Sequence, residues 1–268
     1  MIGFIGGTQL PKGSPPMKKL LFVIATTLIS ISASAQSAFE GFYGQIATGY
    51  ESNTASNLNT TGTSPQAPEL STLYSGANQT FGGAPLVLGL GYNFSVAPSW
   101  LLGIGADYSA LSQKSSTFSQ TYGEQLGLYS LDSFNGNQLT VSNRFNIFLT
   151  PGYAIDKDKL VYLKAGYSSV SLKEAFPNQF VNVYGRSKTI IASLSFSSQT
   201  QTLSGYIVGL GYKQIITGGL YGFAEANYMA YGQKTFTSSV TVSGETSNLS
   251  NSPNLSSYQA LVGVGYKF

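Results

Sequence analysis

The last seven residues of the chain read VGVGYKF (262–268). Large apolar side chains alternate here with glycine and lysine, and a period of two is the pattern of a β-strand whose two faces meet different surroundings. The same Gly-x-Gly-Tyr spacing occurs in LGLGYNF (88–94) and VGLGYKQ (208–214). The C-terminal stretch therefore predicts one strand of a sheet that is built from many similar strands.

Seven further segments show the same alternation. They are residues 42–51, 84–94, 100–109, 139–150, 161–168, 205–213 and 220–233. Together with 262–268 they make eight strands, close to the length of about 9–11 residues that a tilted membrane strand needs. No segment after residue 35 approaches the run of about 18 apolar residues that indicates a membrane-spanning helix.

The connections between these strands alternate in length. Three are short (95–99, 154–159 and 215–219) and four are long and rich in Ser, Thr, Asn and Gln (53–82, 112–138, 173–202 and 234–257). A soluble sandwich also has alternating strands. It gives no reason, however, for short and long connections to alternate in a chain that also has tyrosines at its strand ends and a secretory leader. We predict an all-β fold: an eight-stranded antiparallel up-and-down transmembrane β-barrel with short periplasmic turns and long extracellular loops.

The leader is MKKLLFVIATTLISISASAQ (17–36), with two lysines, a mostly apolar core and an Ala-Ser-Ala cleavage site at 33–35. Its core is shorter than the roughly 20 residues that span a bilayer, so a signal peptide is favoured over a membrane anchor. We expect residues 1–35 to be an upstream extension plus secretory signal peptide, with cleavage after Ala35, and residues 36–268 to be the outer-membrane β-barrel domain. Three of the 14 basic residues (Lys12, Lys18 and Lys19) lie in residues 1–35. The remainder is electrically neutral, which argues against nucleic acid as a partner.

The sequence has no His and no Cys. This excludes a Ser-His-Asp triad, a cysteine nucleophile, a disulfide framework and a Cys/His zinc site. No Gly-x-Gly segment completes the dinucleotide-binding motif. We therefore expect no catalytic, cofactor-binding or metal-binding residue and no enzymatic activity, although a reaction that uses only Asp and Glu stays open.

The alternation that ends at Phe268 resembles the C-terminal signal by which bacterial outer-membrane proteins are recognised for assembly, with Val262, Val264, Tyr266 and Phe268 as the candidate signal residues. FEGFYGQIATGYES (39–52), FLTPGYAI (148–155) and LVYLKAGYSSV (160–170) resemble the small porin-family or OmpA-like outer-membrane β-barrel domain proteins, which include opacity-type surface antigens. The resemblance covers 39–268. It implies a location in the bacterial outer membrane, with outer-membrane lipid and the barrel-assembly machinery as partners.

Two functions follow from this fold. The first is a monomeric structural and surface-interaction anchor whose long loops contact a host or envelope partner. The second is a narrow pore for ions or small solutes. An interior made by eight strands is just wide enough to be filled by side chains, and this favours the anchor.

The polar phase of the strands predicts a charged network in the lumen, formed by Asp107, Arg144, Lys164 and Glu225. If Ile104 lies opposite Ile147 and Leu102 opposite Leu149, the same register places Asp107 opposite Arg144, as a salt bridge. Separate hydration of each charge is the alternative. With Gln45, Asn146 and Tyr162, these side chains are expected to fill much of the lumen.

The third long loop is predicted to be an extended hairpin with its tip at 185–188. Val183 then faces Ile190 and Val181 faces Ala192. Continued downward, the same register pairs Tyr167 with Tyr206 and Leu163 with Leu210. The alternative use of this segment is as two further strands of a ten-stranded barrel.

Overall fold

The structure, a computed structural model, describes residues 37–64, 67–122, 133–175, 181–184, 190–194, 197–242 and 245–268. The predicted signal peptide with its cleavage site, and the predicted hairpin tip at 185–188, lie outside these residues. In the part of the chain that is described, no helix is long and apolar enough to cross a membrane. Seventeen strands follow one another along the chain: β1 (Gly41–Ser56), β2 (Thr60–Ser64), β3 (Ala67–Gly76), β4 (Gln79–Gly83), β5 (Leu86–Ala97), β6 (Trp100–Ser109), β7 (Gln113–Lys114), β8 (Phe118–Tyr122), β9 (Ser133–Ala154), β10 (Lys159–Ala175), β11 (Val181–Tyr184), β12 (Ile190–Leu194), β13 (Gln199–Thr217), β14 (Leu220–Tyr231), β15 (Phe236–Val242), β16 (Glu245–Asn251) and β17 (Asn254–Lys267).

Eight of these strands form a closed antiparallel ring in the order β1, β5, β6, β9, β10, β13, β14, β17. Each of these eight strands pairs with the next one in that order. The last strand, β17, pairs with β1 and closes the ring, from Tyr43 opposite Lys267 to Ser56 opposite Asn254. Closure leaves no unpaired sheet edge, which a bilayer would not tolerate. The predicted eight-stranded barrel is confirmed.

Side chains alternate between the inside and the outside of the ring, and the outward set changes character along each strand. On β10, Val161 and Leu163 are exposed on the outside at the end that carries the short turns. Beyond Tyr167, toward the long loops, the outward positions are the serines Ser169 and Ser171, and the apolar side chains face inward. An apolar band that ends at tyrosine and gives way to serine marks the transition from lipid to water.

The long loops continue the barrel wall beyond this band. β9 extends upward to pair with β8, and the pairing continues through β3, β2 and β16 to β15. In the described residues β15 pairs with β16 alone. The sequence predicts these segments as long extracellular loops, because their outward Ser, Thr and Asn residues conceal the inward apolar positions.

The third loop forms the predicted hairpin, since β11 and β12 pair antiparallel as a separate two-stranded sheet. The ten-stranded alternative is therefore wrong. The predicted pairs of Tyr167 with Tyr206 and Leu163 with Leu210 are confirmed. Higher in the hairpin the prediction is wrong by two residues, because Val183 lies opposite Ala192.

The register of β9 with β6 differs from the predicted one along its whole length, and a separate β-bulge in β9 lies at the loop end of this pairing. Ile104 lies opposite Leu149, and Asp107 lies opposite Asn146, so the register is shifted by two from the predicted one. Asn143 has a positive φ of 52°, a conformation that asparagine tolerates better than most residues. The irregularity lets both Val141 and Arg144 face inward although they are three residues apart.

Glycines make room for large inward side chains in this narrow ring. A Cβ atom at Gly211 would overlap the ring of Tyr162. Gly211→Ala is expected to cost about 1–3 kcal/mol of unfolding free energy, because the displaced ring has no free space in the lumen. Denaturant unfolding in detergent micelles measures this loss. Gly222→Ala is the matched control, since a Cβ there meets its nearest atom at 3.7 Å; an equal loss in both variants would contradict the packing argument.

Candidate functional site: the interior of the barrel

The central layer of the interior is an ion cluster around Lys164. Its Nζ donates hydrogen bonds to Asp107 Oδ2 at 2.7 Å and to Glu225 Oε1 at 2.8 Å. The three residues come from β10, β6 and β14, which are not neighbours in the ring. All three side chains are at least 96% buried. One cation thus joins two carboxylates across the lumen.

Neighbouring polar groups satisfy the rest of each carboxylate. Asn146 Nδ2 donates to Asp107 Oδ1 at 2.5 Å. Tyr162 OH donates to Glu225 Oε2 at 2.8 Å, and Asn227 Nδ2 donates to Glu225 Oε1 at 2.7 Å. Buried charges persist only when they are paired and hydrogen-bonded in this way.

Arg144 belongs to a different layer, closer to the long loops. Its Nη1 forms a salt bridge with Glu51 Oε2. Its Nη2 donates to Asn53 Oδ1 and Ser257 Oγ, and its Nε donates to Tyr231 OH, each at 2.9 Å. The structure thus brings Asp107, Lys164 and Glu225 together but places Arg144 apart, and the predicted Asp107–Arg144 salt bridge is wrong. The register of β6 with β9 places Arg144 opposite Ser109, one inward position beyond Asp107 toward the long loops.

Glu51 is a lumen charge that the predicted network does not include, although the sequence carries a signal for it. Glu51 has the same parity as Tyr43 and Gln45 on β1, and odd-numbered residues of this strand face the lumen. A carboxylate in that phase was therefore an inward charge that needed a cation.

The turn end of the lumen is filled by aromatic side chains around Lys213. Its Nζ lies 4.0 Å from the ring centroid of Tyr43, and 5.0 and 5.2 Å from those of Tyr221 and Tyr162. Cations are attracted to the faces of such rings. Phe39, just before β1, is buried beside Tyr162. Among the described residues no carboxylate forms a salt bridge with Lys213.

An apolar layer closes the loop end of the lumen above Arg144. We call it the apolar plug. It packs inward side chains from the ring strands and from the wall above them: Ala55, Leu58, Phe81, Phe118, Leu139, Val141, Val170, Leu172, Leu203, Ile207, Met229, Tyr231, Phe236 and Leu255. Eight of them, including Leu172, Leu203 and Ile207, have no measurable solvent exposure. The interior is thus layered into aromatic, ionic and apolar parts.

Val262, Val264, Tyr266 and Phe268, the candidate assembly signal, all point outward and are at least 49% exposed. The rings of Tyr266 and Phe268 meet edge to face with centroids 5.3 Å apart. The backbone N–H of Phe268 donates to the carbonyl of Phe42 at 2.9 Å, at the seam where β17 closes on β1. The four side chains therefore form one continuous surface at the closing seam.

Deletion of Phe268 is expected to reduce the assembled protein several-fold, by removing both the terminal side chain of this surface and a backbone hydrogen bond at the seam. Heat-modifiable mobility of outer-membrane fractions measures the assembled amount. Phe268→Tyr retains the ring and the hydrogen bond and serves as the control. Normal levels of the truncated protein would contradict a role for Phe268 in assembly.

Comparison with known proteins identifies the family. The outer membrane protein beta-barrel domain matches residues 21–268. The chain belongs to this family. It is thus an outer-membrane β-barrel protein, with the apolar band in the lipid, the short turns in the periplasm and the long loops outside the cell.

Solved outer-membrane proteins resemble the chain at low sequence identity. Ail of Yersinia pestis is 12% identical, covers 85% of this chain and 99% of its own, and has a TM-score of 0.37. OmpT protease of Escherichia coli is 14% identical, with coverages of 88% and 99% and a TM-score of 0.46. OprG of Pseudomonas aeruginosa is 14% identical, with coverages of 87% and 99% and a TM-score of 0.43. No curated protein matches the sequence.

Proposed function

We propose that this outer-membrane protein is a surface anchor, in which a closed barrel holds a folded extracellular wall whose loops contact a host or envelope partner. The observation that carries the proposal is the apolar plug. It fills the lumen between the Arg144 layer and the loop end with side chains that water does not reach. An ion that crossed this layer would lose its hydration without gaining polar partners.

The ionic layers below the plug support the same conclusion. Arg144 is paired with Glu51, and Lys164 is paired with Asp107 and Glu225. Side chains that are paired across the lumen act as struts, and a pore would require them to separate. A narrow pore for ions or small solutes is the alternative, and it would need both the plug and these struts to move.

Planar bilayers distinguish the two functions. The purified protein is expected to show no steady conductance of open-porin size. A triple variant of the plug, Leu203→Ser with Ile207→Ser and Met229→Ser, is expected to conduct, because it makes part of the layer polar. The corresponding triple valine variant keeps the layer apolar and is the matched control. Steady conductance of the wild type, unchanged by the serine substitutions, would contradict the anchor.

The loop contact is tested on intact cells. Residues 176–198, the third loop, are replaced by a short turn, and the periplasmic turn at 155–158 receives an equivalent replacement as the control. The loop variant is expected to insert normally into the outer membrane. It is expected no longer to bind the cells that bind the wild-type protein. Equal retention of the wild type and of variants in all four loops would contradict a partner at this surface.

We also propose that the protein is not an enzyme. The chain has no His and no Cys. The buried carboxylates of its membrane-embedded part are occupied by Arg144 and Lys164. A general acid or base must be free to exchange its proton with a substrate, and carboxylates held in these salt bridges are not. Hydrolysis of outer-membrane phospholipid in vesicles, lost in Asp107→Asn or Glu225→Gln, would overturn this.

A further inference from the structure

Glu174 differs from the other buried carboxylates of the described residues. Glu51, Asp107 and Glu225 each form a salt bridge with Arg144 or Lys164, whereas Glu174 forms none. It lies near the loop end of β10, above the tyrosine boundary, and is only 2% exposed. The burial raises the pKa of the Glu174 carboxyl to about 6. Within the described residues, an ionised carboxylate in this place has no compensating charge.

Glu174 is part of a polar ring that lines the extracellular wall next to the apolar plug. We define this polar ring as five inward, buried residues from five strands: Thr60, Gln120, Asn137, Glu174 and Asn251. Asn251 lies opposite Thr60 in the sheet. Thr60 donates to Gln120 Oε1 at 3.2 Å, and Asn137 Nδ2 approaches the same oxygen at 3.4 Å. The ring thus consists of two hydrogen-bonded groups, Thr60 with Gln120 and Asn137, and Glu174 with Asn251, which the pairing of β2 with β16 places side by side.

The orientation of the amide groups in this ring is fixed by their partners. Asn251 Nδ2 lies 3.1 and 2.9 Å from the two oxygens of Glu174, so its Oδ1 must point away from the carboxylate. Gln120 Nε2 donates to the carbonyl of Leu58 at 2.7 Å, so its Oε1 is the acceptor for Asn137 Nδ2. Asn137 Oδ1 and Asn251 Oδ1 are both buried without a hydrogen-bond partner.

Unsatisfied buried oxygens are rare and costly in proteins. Here two of them accompany an uncompensated carboxylate. Glu174 lies opposite Leu139, and Asn137 is the next inward residue of β9 beyond Leu139. Such diagonal neighbours are about 7 Å apart at Cβ, within reach of two side chains that share one ion. Oxygen atoms of carboxylates and carboxamides are the ligands that hard cations prefer.

We propose that Glu174 and Asn137 form a binding site for one hard monovalent cation, such as sodium, inside the extracellular wall, with Asn251 Nδ2 holding the Glu174 carboxylate in place. A single carboxylate neutralises one positive charge, whereas a divalent ion would leave a net charge in a buried layer. The cation links β9 and β10 and so stabilises the wall that the barrel displays. The site is separated from the lumen in the membrane by the apolar plug.

Thermal unfolding in detergent micelles tests the proposal. The unfolding midpoint is measured above neutral pH in sodium chloride and in N-methylglucamine chloride at equal ionic strength, since the organic cation is too large for the ring. The wild type is expected to unfold about 3 °C or more higher in sodium, because a ligand that binds only the folded state stabilises it. Equal midpoints in the two salts would overturn the site.

Variants distinguish a cation-binding role of Glu174 from a merely structural one. In Glu174→Gln the sodium effect is expected to vanish, while stability in N-methylglucamine is maintained because the uncompensated charge is gone. Asn137→Leu retains Glu174 and is expected to reduce the difference in unfolding midpoint between the two salts. Asp158→Asn, in an exposed periplasmic turn, is the matched control and should retain it fully. A sodium effect that survives in Glu174→Gln would overturn the proposal, as would stronger stabilisation of the wild type by calcium than by sodium.

If the Glu174→Gln variant does not assemble, sodium binding is measured directly on the wild type. Sodium NMR of the folded wild type is expected to show line broadening that thallous ion reverses by competition. Sharp lines that do not change when thallous ion is added would overturn the site.

Discussion

Arg144→Met is expected to lower the free energy of unfolding by about 3–5 kcal/mol, the usual cost of removing one partner of a buried ion pair. The substitution retains the volume of the side chain but leaves Glu51, which is 2% exposed, without its cation. It also removes the donors that hold Asn53, Ser257 and Tyr231. Urea unfolding of the barrel in detergent micelles or vesicles measures the loss.

A double-mutant cycle isolates the ion pair in this result. Glu51→Gln in the Arg144→Met background removes the stranded charge and is expected to recover a large part of the stability. Lys159→Met is the control, because its salt bridge with Asp156 is exposed at the surface, where such pairs contribute little. If the double variant is as unstable as the two single losses added together, Arg144 and Glu51 are not coupled.

Lys164→Met is expected to destabilise the barrel at least as much as Arg144→Met, because it strands two carboxylates instead of one. Asp107 and Glu225 would face each other across a narrow lumen without the cation that joins them. Two like charges at that range cannot both remain ionised cheaply. The expected result is a loss of about 3–5 kcal/mol or more, or failure to fold in urea-dilution assays.

Two variants make this second prediction decisive. The triple variant Lys164→Met, Asp107→Asn, Glu225→Gln removes all three charges and is expected to restore folding. Lys213→Met removes the other buried lysine of the lumen, which has aromatic rings but no salt-bridge partner. It strands no carboxylate and is expected to cost far less. Equal losses in Lys164→Met and Lys213→Met would show that burial, and not ion pairing, sets the stability.

The strand pattern was predictable from the sequence because it is local. In a barrel that separates lipid from a polar lumen, the polarity of each side chain indicates whether it faces the lipid or the lumen. The alternation around Leu163 and Leu210 therefore predicted both the strands and their pairing. The same rule failed where the backbone departs from regularity. Asn143, an asparagine with positive φ, marks the bulge beyond which Val141 faces inward like Arg144. The separation of Arg144 from Asp107 has another cause, because the register of β6 with β9 differs by two residues from the predicted one along their whole pairing.

The apolar plug escaped prediction for a different reason. Beyond the lipid boundary the outward residues become polar, and the apolar side chains change to the inward phase. In β10 the change falls between Tyr167 and Val170. A pattern read as one continuous strand hides this inversion, because both halves alternate equally well. The loops therefore looked like solvated chain although they fold into a continued wall.

By itself the sequence determined the number of ring strands, their antiparallel order, the face that meets lipid and the location in the outer membrane. These follow from side-chain alternation and loop length, which depend on neighbouring residues. The tertiary structure decided which charges meet. Glu51 on β1 reaches Arg144 on β9 although β5 and β6 separate those strands in the ring. Pairing rules connect adjacent strands only, whereas a lumen as narrow as that of eight strands brings opposite walls into contact.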